Sequence, residues 1–148
     1  MYAKRLPRYA RSAVEKTQQR SLVLILAREL ASNCATPMFV VDPDGDLVFF
    51  NEPAERVLGR TFAETGAMSR QEWGAMFAPV GKDGTPVSAE KLPLEVALRE
   101  MVPGHMAFGI TGLDGEPRQI AVTAFPLFAR ANEFVGALAI FWEQRGMG

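Results

Sequence analysis

The sequence predicts an α+β domain, a five-stranded antiparallel sheet with helices on one face and a further helix flanking it at the N-terminus. Three observations predict it. Two pairs of short apolar runs each bracket an Asp-Gly turn, at Asp44-Gly45 and Asp114-Gly115. Helical periodicity fills the interval between the pairs. A stretch of helix formers without Gly or Pro precedes both.

Residues 10–33 are rich in Ala, Glu, Gln, Arg and Leu. Leu22, Leu26 and Leu30 form one i, i+4, i+8 row, and Val23, Ala27 and Ala31 form the next. Over residues 22–27 the helix is apolar nearly all round, so it needs cover on more than one side. A second copy of the same helix would supply it, which makes Leu22, Val23, Leu26, Ala27 and Leu30 the candidate homodimer interface. Pro37 marks the end of the linker that follows.

Met38-Phe39-Val40-Val41 and Leu47-Val48-Phe49-Phe50 then read as a hairpin. Asn51 is a good N-cap, Pro53 suits the first helical turn, and Ala54, Val57 and Leu58 fall at helical spacing before Gly59. Ser69 and Glu72 have capping-box spacing, opening a short helix with Trp73, Met76 and Phe77 on one face. Residues 81–84 form a loop. Pro93 opens a helix with Leu94, Ala97, Leu98 and Met101 in register, and Glu95 and Arg99 form an i, i+4 pair expected on its solvent side. Pro103-Gly104 stops it. Residues 106–111 and 118–128 form the second hairpin, and residues 134–142 the last strand.

Composition bounds the function. A length of 148 residues points to one domain, or one domain with a short appendage, and 48% hydrophobic content is ordinary globular usage, so the core needs no staples. Ten Phe and seven Met point to a core, or a core cavity, rich in aromatic and flexible apolar groups. The single cysteine, Cys34, excludes an intramolecular disulfide and fits a reducing compartment. The early apolar run at 22–27 falls short of the ~18–20 residues of a membrane span and makes no convincing signal peptide. These features predict a cytoplasmic protein. Net charge is −1 but uneven: residues 1–20 hold six basic side chains against Glu15, a net of +5 that leaves −6 elsewhere. A basic arm on an acidic body is a candidate contact for nucleic acid, anionic membrane or an acidic partner, with a solvated tail as the alternative.

The order and the residues together resemble the PAS domain, a sensory and dimerisation module. Val40-Val41-Asp42-Pro43-Asp44-Gly45 through Phe50-Asn51 resembles its opening hairpin, and Gly59-Arg60 the end of the next helix. Asp83-Gly84-Thr85-Pro86 and Leu92-Pro93-Leu94-Glu95-Val96-Ala97-Leu98 resemble its middle loop and long helix. Leu113-Asp114-Gly115 through Val122-Thr123-Ala124-Phe125-Pro126-Leu127 resembles the central hairpin, and Gly136-Ala137-Leu138-Ala139-Ile140-Phe141 the last strand. The resemblance covers residues 36–143, which leaves a basic flexible arm at 1–9, the dimerisation helix within 10–35, and a tail at 144–148.

The resemblance implies a pocket between the concave sheet face and the middle helices, filled in such domains by flavin, haem, small acids or nothing. Trp73, Met76, Phe77, Leu98, Met101, Phe108, Thr123, Phe125 and Phe141 are the expected lining. The sequence itself requires no cofactor. Cys34 precedes the first strand and is followed by Ala35-Thr36-Pro37, which argues against a flavin–cysteine adduct. His105, the only histidine, falls after the long helix rather than on it, which argues against haem, and one imidazole excludes a multi-histidine metal site.

The enzyme readings are weaker. Asp42-Pro43-Asp44-Gly45 also resembles the nucleophile motif of haloacid-dehalogenase-type phosphohydrolases, but residues 47–50 run straight back as a strand and no later acidic pair follows. In a calcium loop the glycine would be misplaced, and Pro53 stands where a closing Glu belongs. No phosphate loop, nucleophile elbow or Cys–His pairing is evident. The expectation is a non-catalytic sensory PAS domain that binds a small ligand, pairs with a second copy and acts through a separate output protein. A ligand-free constitutive interaction adaptor is the alternative, and the phosphohydrolase a remote one.

Overall fold

Residues 22–144 are described in the computed structural model. Residues 22–32 form helix α1; the expected earlier part of that helix, the basic arm and residues 145–148 lie outside the described residues. Strand β1 (Met38–Val41) pairs antiparallel with β2 (Leu47–Phe50), with Phe39 opposite Phe50. Their turn closes through Gly45 N–H to the Asp42 carbonyl at 2.9 Å, and Gly45 has φ +87°, a conformation that favours glycine. A Cβ there would also lie 2.7 Å from Cδ of Arg70.

Helix α2 (Glu52–Leu58) starts at Asn51 and ends at the left-handed Gly59. A one-turn helix, α3 (Phe62–Thr65), follows, capped by Thr61. Helix α4 (Arg70–Phe77) is capped by Ser69, whose Oγ accepts from Glu72 N–H at 3.1 Å. A 3-10 turn (Ala89–Lys91) leads into α5 (Pro93–Glu100). Strands β3 (Gly104–Thr111), β4 (Pro117–Ala129) and β5 (Glu133–Glu143) complete the fold, with a second 3-10 turn (Arg130–Asn132) between the last two. The strand order is β2-β1-β5-β4-β3, with every neighbouring pair antiparallel.

The sheet separates two apolar clusters. On the inner face, Phe39, Val41, Ile120, Val122, Ala139 and Phe141 meet α2, α4 and α5. On the outer face, Met38, Val40 and Leu138 meet Ala27 and Ala31 of α1. β1 and β5 therefore alternate between the clusters, because successive strand residues point to opposite faces. This explains why Met38–Val41 reads as an unbroken apolar run: both of its faces are covered.

Two expectations about helices need correction. Glu95 is not on the solvent side of α5; only 7% of it is exposed. Arg70 reaches across from the start of α4 and grips its carboxylate with two donors, the Nε–Oε1 contact being 2.7 Å, while Arg99 stays 3.8 Å away. The helical row also does not extend to Met101, which is the left-handed residue (φ +58°) that ends α5 and is 49% exposed.

Candidate functional site: an apolar cavity under the sheet

A cavity of about 80 Å³ lies between the inner sheet face and the helices. The sheet contributes Phe39, Phe108, Ile110, Ile120, Val122, Ala139 and Phe141. Trp73, Gly74 and Phe77 of α4 form the opposite wall, with Leu58 from α2. Pro79 and the Leu92-Pro93-Leu94 entry to α5 close the remaining side. The aromatic walls hold one another: Phe39 lies edge-on to Trp73, with centroids 5.5 Å apart, and to Phe77 at 6.3 Å.

Among the lining side chains the only heteroatom is the Trp73 indole nitrogen, and it is committed to the Gly45 carbonyl at 2.8 Å. Bonds from the β1–β2 turn also hold α4 in place: the Asp46 carboxylate accepts from Arg70 N–H at 3.0 Å. Among the described residues no buried side-chain polar atom lacks a partner. The site thus offers shape and apolar surface, with no acid, base, nucleophile or ion-pairing group facing the space.

Of the nine residues expected to line the pocket, Trp73, Phe77, Phe108 and Phe141 border the cavity. Leu98 is buried in the inner cluster without bordering it. Met76 and Met101 are 50% and 49% exposed and lie outside it. Met76 follows the core-facing Trp73 by three residues, but the face of α4 that enters the core runs through Trp73 and Phe77. Thr123 and Phe125 are on the wrong side of the sheet. Thr123 bonds His105 and Phe125 joins the outer cluster, because Ile120, Val122 and Ala124 take the inner positions of β4.

Parity explains the last error. β4 is apolar on both faces, so the sequence alone leaves open which alternate set points inward, and a one-residue slip exchanges the sets. Ile120 and Val122 went unrecognised as lining for the same reason, and so did Phe39, since β1 too is apolar on both faces; Ile110 and Ala139 were not singled out either. Period-2 spacing from Phe108 and Phe141 already pointed to Ile110 and Ala139. Gly74, Pro79 and the Leu92-Pro93-Leu94 segment carried no such signal, since loop and helix positions come together here only in three dimensions.

The large cofactors do not fit. Sites for drug-sized ligands occupy roughly 300–1,000 Å³ and supply a few placed polar groups; this cavity is smaller and has none free. Cys34 lies with the outer cluster, across the sheet from the cavity. His105 is exposed at the start of β3 on the outer face, its Nδ1 2.7 Å from Thr123 Oγ1 and its ring 6.2 Å from Trp142. The Asp42 carboxylate accepts from Asp44 and Asp46 N–H at 2.9 and 3.1 Å, at the bend of an antiparallel hairpin. Burial pushes its pKa up, and those two backbone donors oppose the rise. That setting lacks the parallel-sheet edge a phosphohydrolase nucleophile needs. Among the described residues no group of three or more His, Cys, Asp or Glu is placed to hold a metal ion, and no helix is long and apolar enough to cross a membrane.

Neither a family model nor a curated protein sequence matches the chain. Solved structures do. The PAS domain of BvgS from Bordetella pertussis superposes with a TM-score of 0.55 at 14% identity, over 84% of this chain and 87% of that one. A PAS domain from Colwellia psychrerythraea gives 0.59 at 16% identity, over 82% and 97%. A LOV protein from Rhodobacter sphaeroides gives 0.63 at 16% identity, over 82% and 67%. The five-stranded antiparallel sheet with its helices matches the fold of these neighbours, and the chain has the PAS-domain fold.

Proposed function

We propose that this protein is a non-catalytic sensory and dimerisation module, in which occupancy of the inner cavity is passed through the sheet to α1, a second copy and a separate output protein. The carrying observation is the alternation along β1 and β5. Phe39, Ala139 and Phe141 face the cavity, while their neighbours Met38, Val40 and Leu138 face α1. A ligand that displaces either strand from inside necessarily moves the surface on which α1 rests.

The pairing reading rests on what α1 leaves uncovered. Ala27 is buried against the chain's own sheet, so it is removed from the candidate interface. Leu22, Ile25, Leu26 and Leu30 form a stripe at helical spacing, each 55–59% exposed, with Val23 half-buried at its edge. Four large aliphatic side chains on adjacent turns make a patch that a helix of a second copy would cover. Native mass spectrometry of the chain as expressed tests this: a dimer is expected, and Leu26→Glu with Leu30→Glu should return it to monomer. A wild-type monomer at micromolar concentration overturns the pairing. A dimer whose geometry ignores every cavity occupant is the constitutive adaptor instead.

A further inference from the structure

We infer that the cavity admits a small, neutral, apolar molecule no larger than a single six-membered ring, and that the absent side chain at Gly74 is what admits it. This rests on the sensory reading above and narrows its ligand class.

Gly74 follows Trp73 in α4, sits half-exposed beside the core-facing row of Trp73 and Phe77, and borders the cavity. A Cβ built there would meet no atom within 4 Å outside its own turn of helix. Close-packed interiors ordinarily fill such space with a side chain. Glycine is also less favourable than alanine inside a helix. Position 74 forgoes both gains, and the result is a wall with a gap in it.

The chemistry of the walls selects what can use the gap. A carboxylate, a phosphate or a heteroaromatic cofactor would bring polar atoms to a surface with no free partner for them. Water is disfavoured for the same reason, since a buried water needs two to four polar partners. Apolar cavities stay dry or take up apolar guests: an engineered one of about 150 Å³ holds benzene or xenon. The present cavity, at about 80 Å³, is roughly half that size. A single ring is therefore the upper limit, and the part of it that the cavity does not hold would have to occupy the open space beside Gly74.

The test compares benzene with benzoate, which share a ring and differ in charge, on the full chain. Melting temperature and backbone amide NMR shifts are the readouts. Benzene should raise the melting temperature saturably by a few degrees and move the amides of Trp73, Phe77 and Phe108, while benzoate at equal concentration does neither. Gly74→Leu should lose the benzene response while melting no lower than wild type without it. Should that variant fail to fold, Gly74→Ala carries the test: weaker benzene binding supports the inference and unchanged binding overturns it. A benzoate response equal to that of benzene, a benzene response surviving in Gly74→Leu, or a wild type indifferent to benzene overturns it as well. Native mass is read on the same samples. A dimer that ignores benzene defeats this inference and leaves the pairing reading standing; a monomer that binds benzene does the reverse.

Discussion

Asn51 uses its entire side chain. It is 1% exposed, and its Oδ1 accepts from Met38 N–H at 2.9 Å and Ala54 N–H at 3.1 Å. Its Nδ2 donates to the carbonyls of Ala31 at 2.9 Å and Thr36 at 2.8 Å. One residue thus joins the end of α1, the linker, β1 and the start of α2. Asn51→Ala would strand several buried backbone groups as well as remove a helix cap. At ~1 kcal/mol for a cap and 1–3 for buried unpaired groups, the expected loss is about 3 kcal/mol by urea denaturation. A loss under about 1 kcal/mol would mean that water replaces the amide. Only the cap was legible in the sequence, because Ala31, Thr36 and Met38 lie 13–20 residues away and no local rule brings them together.

Asp114 supplies a pH handle at the same scale. The Arg118 guanidinium, with contacts of 2.9 and 2.7 Å, holds its carboxyl well below the usual carboxylate range, helped by Glu116 N–H. A carboxyl whose pKa is depressed on folding adds stability that is present above its unfolded value of about 3.9 and lost as pH falls toward the folded one. Asp114→Asn should therefore lower the melting temperature most near pH 7, with the gap closing below about pH 4. A gap that stays constant from pH 7 to pH 3 would assign Asp114 a purely geometric role.

Between elements, the Arg70–Glu95 pair fastens α4 to α5, two walls of the cavity. The Glu95 side chain is 10% exposed and that of Arg70 34%, so the pair sits between surface bridges worth ~0–1 kcal/mol and buried ones whose rupture costs 3–5. Glu95→Gln should lose about 2 kcal/mol and speed hydrogen exchange in α4 more than in β4. Equal protection in both elements would show that the aromatic contacts of Trp73 and Phe77 hold α4 without help. Helical periodicity placed Glu95 beside Arg99 and could do no more, since Arg70 arrives from 25 residues earlier. α3 went unread although Thr61 and Glu64 have capping-box spacing, and Thr61 does accept from Glu64 N–H at 3.1 Å. A single turn is too short for an apolar period to register.

For the whole molecule, the arrangement places a void on one side of the sheet and an uncovered apolar helix face on the other. If α1 is completed by a second copy, folding and pairing are linked by mass action. The melting temperature should then rise with protein concentration across the micromolar range, and Leu26→Glu with Leu30→Glu should abolish that dependence. A melting temperature indifferent to concentration in the wild type would place the stripe against something other than this chain.

The amino-acid sequence by itself determined the parts that depend on near neighbours. The Asp-Gly hairpins, the caps at Asn51 and Ser69, the left-handed stop at Gly59 and the amphipathic α5 follow from turn chemistry and spacing within about eight residues. Their order was enough to identify the sheet and the PAS-like arrangement. Only tertiary structure decided which face each apolar strand residue takes, as Thr123 and Phe125 show against Val122. It alone turned Ala27 toward the sheet and left Leu22, Leu26 and Leu30 outside. It alone set the size and polarity of the cavity, because a void is a property of what fails to meet across elements, and no single segment encodes it.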